Sequence, residues 1–288
     1  MTTARHAHMR TIDLARLMLW PAVVFTLVFF VVPLVVMACA SFWQRAGGVL
    51  VVDWTLQNYV KFFSRSYLLA SLRNSLEVTL LTTALSVLLA YPFAYVLAFH
   101  VPERWQKVLL AVAVLPFWTS YVVRSYSWLL VIGDAGFVNN LLIDLHLRTE
   151  PLHIAYTRSA TVLGFVHFFI MLLTLTIYAN LVQISPTYIK AAQDLGASTF
   201  GVIWHVVLPL SLPGIAVGAF LTFVITIGDY VTPQILGGNT EVLVPQAIML
   251  QISRTADIPM ASAMCLVLML LVMVVYVAFR RYLVMDRV

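Results

Sequence analysis

Residues 185–200 read Ser185-Pro186-Thr187-Tyr188-Ile189-Lys190-Ala191-Ala192-Gln193-Asp194-Leu195-Gly196-Ala197-Ser198-Thr199-Phe200. This is a polar, helix-forming insert between two long apolar runs. Ser185 suits an N-cap, and Pro186 suits the first helical position, where no amide hydrogen is needed. Lys190, Ala191, Ala192 and Gln193 are good helix formers. Gly196 suits the left-handed residue that closes a helix. A second amphipathic stretch follows, with Phe200, Ile203, Trp204 and Val207 placed on one face. Then come Pro209 and Pro213, which bend or restart a helix. The insert is therefore predicted as two short helices meeting at a turn of small residues, where Ala191, Ala192, Gly196 and Ala197 let another backbone come close. A helix lying flat on a membrane needs a basic polar face. This one offers only Lys190 and His205, offset in part by Asp194, so a docking knob for a protein partner fits the composition better.

The flanking runs belong to a chain of 288 residues that is 62% hydrophobic and only 10% charged, with a mean hydropathy of +0.95. Soluble domains are about 25% charged, so this chain has too little polar surface to coat a water-exposed core. That excludes a cytosolic enzyme, a disordered protein and a small secreted scaffold. Spanning a bilayer takes about 20 apolar residues as a helix, and six stretches qualify. They lie between Arg16 and Arg45, between Glu77 and Glu103, from Lys107 to about Ile132, from Arg158 to about Val182, from about Val206 to Ile227, and between Asp257 and Arg280. None shows the strict alternation of barrel strands. The fold class is all-α, a polytopic membrane protein with six transmembrane helices. Ala38-Cys39-Ala40 fits a signal cleavage site, but the apolar run before it exceeds a signal's usual length, so the first stretch is predicted to span.

An even number of spans puts both termini on one side. With the N-terminus inside, that side holds Arg5, Arg10, Arg16, Arg104, Lys107, Lys190, Arg280, Arg281 and Arg287, in short segments close to the spans. The other side holds Arg45, Lys61, Arg65, Arg73, Arg124, Arg148, Arg158 and Arg254, spread over long loops. The density of basic residues favours cytoplasmic termini. Residues 1–16 are then a cytoplasmic N-terminal segment, 17–283 the six-helix domain with its cytoplasmic loop 185–209, and 284–288 a cytoplasmic tail. The net charge of +5 becomes a topology signature, not a sign of nucleic-acid binding. Cys39 and Cys265 lie in apolar stretches without metal or redox spacing. The seven histidines show no zinc-binding pattern. No Gly is followed by Lys, so a phosphate-cradling P-loop is absent, and no nucleophile motif appears. No catalytic or metal site is expected.

The run Lys190-Ala191-Ala192-Gln193-Asp194-Leu195-Gly196-Ala197, followed by Pro209, resembles the EAA loop of ABC importer permeases: Glu-Ala-Ala, three residues, Gly-Ala, then an apolar stretch and a Pro. Both alanines, Gly196, Ala197 and the Pro spacing match, and Lys190 stands where the family has Glu. Asn74-Ser75-Leu76, Tyr91-Pro92-Phe93-Ala94-Tyr95, Leu115-Pro116-Phe117-Trp118-Thr119-Ser120, Arg124-Ser125-Tyr126-Ser127-Trp128 and Gly228-Asp229-Tyr230-Val231-Thr232-Pro233 resemble the spermidine/putrescine subfamily. Within it they look like the first of its two non-identical permeases, with the type I (MetI-like) importer fold.

The resemblance implies a bacterial inner-membrane permease whose loop residues Lys190, Ala191, Ala192, Asp194, Gly196, Ala197 and Pro209 dock an ATP-binding subunit dimer. ATP and Mg are then bound by that partner, with no cofactor in this chain. A second homologous permease, a periplasmic or extracellular substrate-binding protein and membrane lipid complete the partners. Amino acid, phosphonate or ferric ion are rival cargoes. A stand-alone secondary carrier is disfavoured by uncharged mid-span positions in the second, fourth and sixth stretches and by the lack of inverted repeats.

Asp229 and Tyr230 put a carboxylate beside an aromatic ring at a span end, a pairing that suits an alkylammonium; the alternative is a helix-end turn. With Tyr126 and Trp128 they are the candidate lining of a substrate path. Arg124 is either part of that lining or a structural arginine, paired to an acid such as Asp134 or Glu77 or snorkelling outward. The second is favoured because a fixed cation repels a cationic cargo. Arg73 and Glu77 stand at i and i+4 and suit a local pair. Gly214 and Gly218, four apart, allow close helix packing.

Overall fold

Hydropathy alone places six helices in the chain. The computed structural model carries six helical segments long and apolar enough to cross a membrane among the described residues: Leu19–Ala40, Ser66–Phe99, Tyr121–Asp144 (interrupted at Gly133–Gly136), Arg158–Leu181, Thr199–Gly228 and Ile258–Arg281. The structure describes residues 19–238 and 241–283. The expected cytoplasmic segment 1–16 and tail 284–288 lie outside the described residues. The chain divides into two units, Met1–Ser64 with Leu250–Val267, and Arg65–Met249 with Leu268–Val288.

In the first unit, α1 (Leu19–Ala40) widens into a π-type turn at Leu27–Val31. It is followed by a hairpin that the sequence reading does not contain. β1 (Gln44–Ala46) pairs antiparallel with β2 (Val49–Val51). The two-residue turn is Gly47-Gly48, both at positive φ (58° and 85°), which is the conformation a tight right-twisted hairpin requires. A short helix, α2 (Gln57–Ser64), follows. Buried Asn58 donates to the carbonyls of Ser41 (2.9 Å) and Trp43 (2.7 Å), and Tyr59 bonds the Ser41 hydroxyl at 2.7 Å. The two Asn58 bonds satisfy carbonyls left open where the chain leaves α1.

The second unit is built on α3 (Ser66–Phe99), α7 (Arg158–Leu181) and α9 (Thr199–Gly228). Between α3 and α7 lie α4 (Glu103–Val114), α5 (Tyr121–Ile132) and α6 (Phe137–Asp144). The helix α8 (Pro186–Asp194) precedes α9, and α10 (Val231–Leu236) follows it; next in the chain come α11 (Val244–Thr255) and α12 (Ile258–Leu283), whose residues 250–267 belong to the first unit. Phe165, Phe169, Leu173, Ile177 and Leu181 repeat every four residues on α7 and are fully buried, forming one ridge. On α3, Ser71, Ser75, Thr79, Thr82, Ser86, Ala90 and Ala94 are buried. Small side chains on this face let helices approach closely where lipid offers no hydrophobic drive to pack. The glycines of α9 act in the same way. A Cβ at Gly214 would stand 2.5 Å from the Cβ of Asn180, and one at Gly218 would stand 2.5 Å from Thr176 Oγ1.

Three span boundaries differ from the sequence expectation. The second helix begins at Ser66, not near Glu77. At 34 residues and 1.5 Å per residue it is about 50 Å long, so its first turns project beyond the hydrocarbon and carry Arg73, Asn74 and Glu77. The third stretch is not one helix. It is α4, a 3-10 turn at Leu115–Trp118, and α5. Pro116 has no amide hydrogen to continue the ladder, and Thr119 and Ser120 are extended (ψ 148° and 130°). The fifth helix starts at Thr199 and runs unbroken to Gly228, so the second short helix of the loop is its first turns. A π-type turn at Ile203–Val207, with the Leu208 N–H bonded to the Ile203 carbonyl, widens the helix ahead of Pro209, and neither Pro209 nor Pro213 restarts it.

Candidate functional site

The predicted loop is built as its caps dictate. The Ser185 hydroxyl accepts the Thr187 N–H at 3.3 Å, and Pro186 opens α8. Gly196, at φ 84°, turns the chain out, and the Ala197 N–H reaches back to the Ala192 carbonyl at 3.0 Å. Ser198 then caps α9 through the Gly201 N–H at 3.2 Å. Ile189, Ala192 and Ala197 pack against the buried core of the unit. Lys190, Ala191, Asp194 and Gly196 are exposed. Pro209 lies further along α9, also exposed.

The expected amphipathic face of α9 is corrected. Phe200 and Trp204 are exposed and stacked on each other, with centroids 6.1 Å apart, while Val202 and Val207 are buried. The π-type turn shifts the register, so a simple helical wheel misplaces them. Leu195, 89% exposed, completes an apolar rim that sequence reasoning did not single out. An apolar side chain directly before the closing glycine was the available signal.

A groove of 390 Å³ is lined by Phe117, Thr119, Tyr121, Arg124, Phe168, Ile225 and Asp229. Two helix breaks supply it: the turn before α5 and the turn between α9 and α10. Asp229 holds the second turn. Its Oδ1 accepts the Val231 N–H (3.0 Å) and its Oδ2 the Thr232 N–H (3.1 Å). The Tyr121 hydroxyl donates to Asp229 Oδ2 at 2.5 Å and also meets the Thr232 hydroxyl. The turn role and the groove role of Asp229 therefore coexist.

Arg124 is buried, but no acid pairs with it among the described residues, contrary to expectation. It donates to the Pro116 carbonyl at 3.1 Å, and its guanidinium carbon lies 4.9 Å from the Phe168 ring and 5.7 Å from the Tyr121 ring. The turn at Pro116 presents a carbonyl that Arg124 reaches, one that also accepts the Thr119 N–H (3.2 Å) and hydroxyl (2.7 Å). Of the four candidate path residues only Asp229 lines this groove. Tyr230 stands at the N-terminus of α10, Tyr126 is exposed, and Trp128 donates to His167 Nδ1 at 3.2 Å. Tyr121, Phe117 and Phe168 join the site instead. Aromatic residues in an apolar chain give no sequence signal that separates lining from packing.

A third cluster sits at the start of α7. The Arg158 guanidinium donates to Glu241 (2.7 Å), to Asn74 (2.9 Å) and to Glu77. Glu77 also carries the expected local pair with Arg73, at 2.9 Å. Close by, the Ser75 hydroxyl accepts the Val244 N–H at 2.8 Å. The segment before α11 is thus tied to α3 by one ion-pair fan and one buried hydrogen bond. No cluster of His, Cys, Asp or Glu suited to a metal ion occurs among the described residues.

The chain has relatives among known proteins. Residues 90–286 match the family model described as binding-protein-dependent transport system inner membrane component. The spermidine/putrescine transport system permease protein PotB of Haemophilus influenzae is 30% identical over 92% of this chain and 94% of its own. The PotB protein of Salmonella typhimurium is 30% identical over 77% of each chain. A chain from the crystal structure of a bacterial alginate ABC transporter, in complex with an alginate pentasaccharide-bound periplasmic protein, matches with a TM-score of 0.80 at 16% identity, over 98% of this chain and 99% of that one.

Proposed function

The chain belongs to the binding-protein-dependent transport system inner membrane component family, and from that premise we propose that it is one of two homologous permease subunits of an ATP-driven importer of polyamines. It spans the inner membrane six times, with both termini in the cytoplasm. It hydrolyses nothing itself: ATP and Mg belong to a partner ATPase dimer, and a soluble substrate-binding protein delivers cargo from outside. The cargo assignment is supported by relatives named for spermidine and putrescine transport.

The observation that carries the docking role is the doubly capped α8 joined to an unbroken α9. Lys190, Ala191, Asp194, Gly196 and the rim of Leu195, Phe200 and Trp204 face a partner, while Ala192 and Ala197 anchor the knob. A pull on α8 is therefore passed to α9 as a rigid body. ATP closure of the partner biases the inward-open and outward-open states only through its different affinity for them.

Proteoliposomes holding this chain with its ATPase, second permease and binding protein test the proposal. ATP-dependent uptake of labelled putrescine or spermidine is expected. ATP-dependent uptake of an amino acid, a phosphonate or ferric ion instead would replace the cargo and keep the importer. Deleting residues 191–197 should abolish ATPase co-purification, and its persistence would sink the docking assignment.

A further inference from the structure

The groove holds two charges of opposite sign that do not pair with each other. Asp229 is engaged by Tyr121 and by two backbone N–H groups. Arg124, only 9% exposed, is engaged by a carbonyl and an aromatic face. A backbone carbonyl and the face of a ring are also groups that receive an alkylammonium, and the Pro116 oxygen here accepts the Thr119 N–H (3.2 Å) and hydroxyl (2.7 Å) besides Arg124. The ring is fixed for this purpose: Phe168 stacks on Phe117 at 4.9 Å and meets Tyr121 edge-on at 5.2 Å. The chain has placed its own cation in that cradle. An ionisable side chain at this depth, without an acidic partner, points to a role in the transport path.

We propose that Arg124 is a specificity-determining residue of this groove. It is a tethered cation that fills the subsite formed by the Pro116 carbonyl and Phe168, so an ammonium cargo is held at Asp229 and must displace Arg124 to occupy the whole groove. In the cargo-free state the resident guanidinium keeps the groove neutral and closes the subsite to stray cations. A cargo with two ammonium groups meets a like charge at its far end. At an effective dielectric near 20, two unit charges about 8 Å apart change an affinity by roughly thirtyfold, and partial withdrawal of Arg124 reduces this to on the order of tenfold. The subsite rests on the geometry alone, and its use by a polyamine rests on the proposed cargo.

The test uses the purified permease–ATPase complex without binding protein. Calorimetry with butane-1,4-diamine compares wild type, Arg124→Gln and Arg124→Lys. Arg124→Gln is expected to bind about tenfold more tightly than wild type, and Arg124→Lys, which keeps the charge, within about twofold of it. In a second arm millimolar guanidinium ion should raise the unfolding temperature of Arg124→Ala and leave that of wild type unchanged. Equal diamine affinities in all three folded proteins, with no guanidinium effect, would overturn the subsite and reduce Arg124 to a pin for the Pro116 turn. Guanidinium stabilisation without diamine binding by any variant would uphold the subsite and overturn the polyamine cargo.

Discussion

Replacing Arg158 with Met keeps the side chain's bulk and removes every bond of the fan. Two ion pairs and one hydrogen bond to Asn74 are lost. The side chains of Arg158, Glu77 and Glu241 are 29%, 43% and 42% exposed, between the surface and buried limits. Surface pairs contribute about 0.2–1 kcal/mol, and hydrogen bonds to charged groups about 1.5–3 kcal/mol when shielded. Taking about 1 kcal/mol for each of three contacts, and returning about 1 kcal/mol for the regained hydration and freedom of the arginine, leaves a loss of about 2 kcal/mol. Glu77 keeps Arg73 as a partner, so the uncompensated charge falls on Glu241. Glu241→Gln alone should therefore cost about 1 kcal/mol, and the pair should show a coupling energy of about 1 kcal/mol in a double-mutant cycle. Reversible unfolding in mixed micelles measures these terms, and repeating it at high salt should shrink the coupling, because the pairs are partly open to solvent. Additivity of Arg158→Met and Glu241→Gln within about 0.3 kcal/mol, or a coupling indifferent to salt, would show that the fan does not hold the segment before α11.

Four further substitutions probe the other sites. Gly214→Ala sets a Cβ 2.5 Å from Asn180 Cβ; overpacking of about 1–3 kcal/mol, less the helix gain of about 1 kcal/mol, predicts a net loss near 1 kcal/mol in the same unfolding assay. Gly228→Ala, with open space around it, should cost nothing measurable. Leu195→Asp should cut ATPase co-purification more than tenfold while leaving the unfolding temperature unchanged, since the residue is almost wholly exposed; a fall in stability would mean that Leu195 packs within the chain. Tyr121→Phe removes the hydroxyl shared by Asp229 and Thr232 and should cost about 1–2 kcal/mol, with faster hydrogen exchange confined to the turn between α9 and α10; unchanged exchange there would disprove the bridge.

The loop shows how far local chemistry reaches. Ser185, Pro186 and Gly196 announce the ends of α8 because capping is settled within four residues, and the structure places all three as their residue types require. The span count was legible for the same reason, since hydropathy is a sum over neighbours. The Gly47-Gly48 hairpin was legible in principle but lay hidden beside a strong helical signal. The break at Pro116 was missed because a proline within an apolar stretch either bends a helix or ends it, and the packing around it decides which.

The sequence by itself determined that this is a six-helix membrane protein with a short capped helix between its fourth and fifth spans, because length, apolarity and capping are properties of adjacent residues. Only the tertiary structure decided which polar groups meet. Arg158 lies 83 residues from Glu241 and 81 from Glu77, and Tyr121 lies 108 from Asp229. Those distances close only when small-residue faces on α3 and α9 let the α7 ridge pack in one register. That register also leaves Arg124 with a carbonyl and a ring where an acid was expected. A charge in an apolar setting must be satisfied, but the partner available to it is set by how the helices pack.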